Sequence, residues 1–149
     1  MRRPGLLVLG VGLVIGGLGV SVYVGKARLD QKHIRKEADS VTWQLAMKVA
    51  SCGEPLPISS RPVPSAVPGP DGYESTGDDW LQPAFDCNRS PVLLPKRFHS
   101  SYQWVRDSST SGRVVAAADF DGDGGLDRVE SAVTCVAGSC SADPPMLMP

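Results

Sequence analysis

The spacing of apolar positions changes several times along the chain, and each change predicts an element. From Leu6 to Gly25 twenty consecutive residues carry no charge, about the length of helix needed to cross a bilayer core. Residues 6–25 therefore read as a transmembrane helix preceded by a basic leader, residues 1–5. From Lys26 to Ser51 there is neither proline nor glycine, and Ile34, Ala38, Val41, Leu45, Val49 and Cys52 recur every three or four residues. That period predicts an amphipathic helical stalk over 26–52, with Arg35, Lys36, Asp39 and Lys48 on its polar face. Gly53 and Pro55 are stop signals. Residues 53–70 hold six prolines, which predicts an extended, polyproline-like linker.

The pattern then shortens to two. In Ser100–Asp107, Tyr102 and Trp104 share a face opposite Gln103. Arg113–Phe120 is apolar on both faces, and in 128–136 the residues Val129, Ser131, Val133 and Cys135 alternate with Glu130, Ala132 and Thr134. These are three strand candidates within a small head, residues 71–142, followed by a flexible tail, 143–149. Trp80, Leu81, Phe85 and Phe98 supply further core bulk. The fold class expected is α+β: one long N-terminal helix, half in the membrane and half amphipathic, packed on a small antiparallel sheet.

Charge sharpens this picture. Residues 26–50 hold six Lys/Arg against three Asp/Glu, whereas 51–149 hold seven against thirteen. An acidic head lacks the clustered basic face that nucleic acid requires, so no nucleic-acid partner is expected. The basic stalk, read by the positive-inside rule, would leave the head in the cytoplasm. Four cysteines and an acidic loop favour the opposite: a single-pass inner-membrane protein with its C-terminal domain extracytoplasmic. A cleaved signal ending near Gly19-Val20-Ser21 is the alternative.

Cys52, Cys87, Cys135 and Cys140 form an even set in a small, exported chain. Four cysteines allow three pairings. Cys135 and Cys140 flank four residues including Gly138 and can close a local loop; Cys52 would then tie the helix end to Cys87. A zinc site lacks a CxxC pair, and His33 and His99 read as ordinary surface residues.

Asp119–Glu130 reads DFDGDGGLDRVE. Carboxylates at alternate positions repel one another unless a cation intervenes. The D-x-D-x-D-G spacing, with Gly125 at the seventh position, Asp127 at the ninth and Glu130 at the twelfth, matches a calcium loop. The flanks are strand-like, so the expectation is a calcium-binding β-hairpin loop with Asp119, Asp121, Asp123, Gly125, Asp127 and Glu130 as candidate ligands. A plain acidic Asp-Gly turn is the alternative.

The layout resembles type IV pilin-like proteins, including the pseudopilins of type II secretion. The stretch from Phe98 through Gly124, with its aromatic strand and DxDGDG hairpin, carries the resemblance. It implies a non-catalytic structural subunit of a surface filament or secretion apparatus, oligomerising through the N-terminal helix, with leader cleavage between Gly5 and Leu6. The chain departs from the pattern at Gly10, where the assembly glutamate would stand. A membrane-anchored calcium-binding or protein-binding module that does not polymerise is the alternative. No G-x-S-x-G, H-E-x-x-H, P-loop or G-x-G-x-x-G motif is present, so no enzymatic activity is expected.

Overall fold

In the computed structural model, which describes residues 31–88 and 92–149, the period-two segments form the centre of a sheet. Strands β3 (Ser101–Arg106), β4 (Ser111–Ala118) and β5 (Asp127–Val136) pair antiparallel in sequence order. β4 buries Gly112, Val114, Ala116 and Ala118 on one face, and β5 buries Val129, Ser131, Val133 and Cys135 on the same side. The outer face of β4 is half-buried, not covered as its apolar composition suggests. The far edge of β5 is shared by β6 (Ser139–Ala142) and β7 (Met146–Met148). Pro144 and Pro145 stand at the break between these two, where a ladder donor is missing. A separate two-stranded sheet joins β1 (Tyr73–Glu74) to β2 (Arg97–Phe98).

One α-helix, α1 (residues 31–50), stands among the described residues. Ala38, Val41, Leu45 and Val49 are buried as their spacing requires, and Ala46 and Ala50 widen the stripe. They share one core with Phe98, Tyr102, Trp104, Val114, Val129 and Val133. Gly53, in the left-handed region (φ 79°), follows the helix, and its N–H bonds to the Ala50 carbonyl at 3.2 Å. Lys48, placed by sequence on the polar face, is buried and donates to the Asn88 side chain.

The fold expectation is therefore corrected. With one helix of twenty residues and seven strands in two sheets, the described chain is mostly β, not a long N-terminal helix packed on a small sheet. The placement as a single-pass inner-membrane protein is corrected too: among the described residues no helix is long and apolar enough to cross a membrane. Helix α1 carries Lys32, Arg35, Lys36, Glu37, Asp39 and Lys48 and cannot serve as one. The segment 6–25 and the Gly5–Leu6 junction lie outside the described residues. The tail expectation fails because β7 within 143–149 pairs with β5, Leu147 opposite Val129.

The proline-rich segment is no spacer. Leu56, Ser60 and Val63 are buried, and the segment runs along the open edge of β3. The Val63 and Tyr102 backbones exchange hydrogen bonds at 2.8 Å in both directions, and Ser60 N–H donates to the Trp104 carbonyl at 3.0 Å. Where prolines limit regular pairing, serine hydroxyls substitute. Trp104 N–H donates to Ser60 Oγ at 2.8 Å and Arg106 N–H to Ser59 Oγ at 2.9 Å. The Trp104 indole N–H reaches the Pro57 carbonyl at 2.9 Å. An edge strand that would offer unpaired groups to other chains is closed by this strap.

Two disulfides complete the frame. Cys52–Cys87 closes a separation of 35 residues and Cys135–Cys140 one of 5. By loop-closure entropy the first contributes about 4 kcal/mol and the second about 2 kcal/mol. The helix is also held by Glu37, whose carboxylate accepts from the Tyr102 hydroxyl at 3.1 Å and from His99 N–H at 2.8 Å, with the His99 ring at 2.9 Å.

Burial, and then the charge of Glu37, push the Tyr102 hydroxyl well above its ordinary pKa of 10.0. The folded state thus favours the protonated phenol. Its contribution is fully present below the unfolded pKa and is lost as pH rises past it, by up to about 1.4 kcal/mol per pH unit. Thermal melts from pH 9 upward should fall more steeply for the native chain than for Tyr102→Phe. At neutral pH the variant should be less stable by about 1–2 kcal/mol, from the lost hydrogen bond to a charged group.

Candidate functional site

Ala118 pairs with Asp127, so β4 and β5 are joined by residues 119–126, a loop of acidic and glycine residues around one aromatic. Phe120 is the anchor: it is buried, and the Arg35 guanidinium of α1 lies 5.6 Å from its ring centre. Arg35 is itself held at 2.9 Å by Asp39, one helical turn on. Gly122 has φ 81° and sits so close to the Gln31 side chain that any Cβ would overlap it. The loop therefore rests on the first turns of α1. Two clefts of about 430 Å³ border it. Gln31, Ile34, His99 and Asp119 line one; Lys32, Arg35, Asp121, Asp127 and Leu147 line the other.

The carboxylates organise the loop backbone. Asp119 accepts from Gly122 N–H through Oδ1 at 2.7 Å and from Gly124 N–H through Oδ2 at 3.1 Å. Asp121 Oδ1 accepts from Asp123 N–H at 3.1 Å, and Asp123 Oδ1 accepts from Gly125 N–H at 2.6 Å. Asp127 Oδ2 accepts from Phe120 N–H at 2.9 Å, closing the loop base. A carboxylate has about four lone-pair sites, so these bonds leave acceptor capacity on every one of them.

Asp119, Asp121 and Asp127 converge: one oxygen from each lies within 4.8 Å of the others. Two oxygens bound to the same calcium at 2.3–2.6 Å stand at most about 5 Å apart, so the spacing is compatible with a hard cation. The remaining positions of a six- to eight-oxygen shell would fall to carbonyls and water. Of the other sequence candidates, Asp123 stands outside this group and Gly125 contributes its N–H to Asp123. Glu130 lies on β5 opposite Val115, with Arg113 Nε at 3.4 Å. Glu130 thus lies outside the group formed by Asp119, Asp121 and Asp127. The four cysteines are all paired, Cys52 with Cys87 and Cys135 with Cys140, away from this loop.

The sequence reading placed Phe120 at the end of a strand candidate and Arg35 on a polar helix face, did not name Gln31, and assigned none of them to the loop. The signal for the first was present, an aromatic inserted between two aspartates that the metal pattern does not explain. The contacts of the other two depend on how α1 crosses the hairpin, which no local pattern encodes. No protein-family model, curated protein or solved structure matches this chain.

Asp119 holds two amides at once, so Asp119→Ala should loosen the whole turn. Hydrogen exchange at Gly122 and Gly124 should accelerate at least tenfold, while amides in the centres of β4 and β5 keep their protection.

Proposed function

We propose that this protein is a non-catalytic structural or binding domain that works in an oxidising compartment and is braced by calcium at the β4–β5 loop. The convergence of Asp119, Asp121 and Asp127 within 4.8 Å carries this reading. Three carboxylates so close together repel one another, and a divalent cation turns that repulsion into attraction. Calcium suits the site better than magnesium, because magnesium demands a strict octahedron and retains its waters. The two disulfides support the compartment, since such bonds persist where thiols are not kept reduced.

Calcium binding to the folded chain alone raises stability by mass action. Extracellular modules bind at about 10⁻⁴ to 10⁻³ M, so 10 mM calcium should raise the melting temperature on the order of 5–10 °C over chelator. Asp121→Asn should abolish most of the rise with both disulfides intact. Equal melting temperatures of the native chain in calcium and chelator would leave only an acidic turn.

A second reading, a pilin-like subunit of a filament or secretion apparatus, is favoured by one observation. The aromatic strand and the DxDGDG hairpin that carry the sequence resemblance are neighbours in one sheet, β3 beside the β4–β5 hairpin. A subunit of this kind should be recovered with sheared surface filaments or with a secretion complex. Recovery solely as a monomer would leave the calcium-braced module.

A further inference from the structure

The two disulfides stand in different mechanical settings. Cys52–Cys87 ties the residues after α1 to a turn-rich segment, with its Cα atoms 5.6 Å apart, inside the usual range of about 4.4–6.8 Å. Cys135 and Cys140 are register partners across the β5–β6 hairpin, and their Cα atoms stand 3.9 Å apart. That is below the usual range, and below the roughly 4.5 Å of the closest pairs in an ordinary antiparallel ladder. The turn beyond is strained as well. Val136 pairs with Ser139, so Ala137 and Gly138 alone make the turn, at φ 52° and 79°. Gly138 adopts the left-handed region freely, whereas Ala137 does so against its own Cβ. Among the described residues it is the one non-glycine residue with positive φ. Both strains ease when the strands part, which the S–S bond prevents. The strand it holds has few other ties. β6 is four residues long and pairs with β5 alone, with Ser139 and Ser141 exposed and Cys140 and Ala142 half-buried.

We propose that Cys135–Cys140 is a redox-sensitive latch: a dithiol reductant opens it while Cys52–Cys87 stays closed, and opening releases β6 from the edge of β5. Strain in the bonded state favours the opened one, so this bond is the more oxidising of the two. The reductant is a protein with a reactive C-x-x-C pair. Its first thiolate attacks Sγ of Cys140, the more exposed of the two cysteines. The S–S bond breaks, and Cys135 leaves with the electron pair and takes up a proton. The reductant's second thiolate then attacks the mixed disulfide, and Cys140 leaves as a thiolate that is protonated in turn. Two electrons pass to the chain, and the reductant is left as an internal disulfide. The outer edge of β5 from Val133 to Val136, which β6 covers, is then open.

The test is a redox titration of the full folded chain with mixtures of reduced and oxidised dithiothreitol. Free thiols are capped with one reagent, the remainder with a second after full reduction, and the peptides are weighed. Cys135 and Cys140 should open at a ratio of reduced to oxidised reagent at least tenfold lower than Cys52 and Cys87. Exposure alone gives the opposite order, since Cys87 is exposed and Cys135 is 7% exposed. That order, or opening of both bonds together, overturns the proposal. Ala137→Gly relieves the turn and keeps both bonds, so it should bring the two midpoints closer; an unmoved midpoint overturns strain as the cause. In C135S/C140S, amide exchange across Ser139–Ala142 should be at least tenfold faster than in the oxidised chain, with the centres of β3 and β4 unchanged. Where that variant does not fold, the native chain halted after its first reduction step gives the same reading. Unchanged exchange in β6 overturns its release.

Discussion

The burial of Trp104 is the constraint on which the rest of this fold depends. Its side chain is fully buried, and deleting an aromatic of this size from a core costs about 3–5 kcal/mol. A buried indole N–H usually finds an acceptor, and for Trp104 the Pro57 carbonyl of the proline-rich strap supplies it. Opposite the ring stands Gly112 of β4, whose register partner in β5 is Val133; a Cβ at Gly112 would overlap the indole. One large side chain thus dictates a glycine in the neighbouring strand and a strap on the outer edge. It dictates part of the strap's composition as well. Prolines hold the segment extended, and Ser59 and Ser60 accept the β3 amides that a regular strand would have taken up through its carbonyls.

How much of this was legible follows from the range of each interaction. The three central strands could be read to within one or two residues, since alternation is local and one face of each is buried. The stripe of α1 could be read for the same reason. Strands β6 and β7 could not, being four and three residues long and placed by pairing with β5. The strap was misread because proline content speaks against a regular ladder but says nothing about docking through hydroxyls. In the hairpin loop, the acidic candidates were legible, but which of them converge was not. The calcium pattern assumes a turn that returns to a helix; here Ala118 pairs with Asp127. That register draws Asp127 into the group with Asp119 and Asp121 and leaves Glu130 facing Arg113.

The helix is fastened at three points by three kinds of interaction. Near its C-terminal end the Cys52–Cys87 bond is covalent and indifferent to everything except redox state. In the middle, the half-buried Glu37 holds Tyr102 and His99 by hydrogen bonds whose strength derives from a charged acceptor. At its start, Gln31 and Arg35 meet Gly122 and Phe120 of the acidic loop. Only this third fastening lies next to carboxylates that repel one another in the absence of a cation. Neutralising Asp119, Asp121 and Asp127 would tighten the loop against Phe120, because Asp127 already closes its base through the Phe120 amide. A cation at these carboxylates therefore acts on the first turns of α1 and leaves the disulfide-bonded end unchanged.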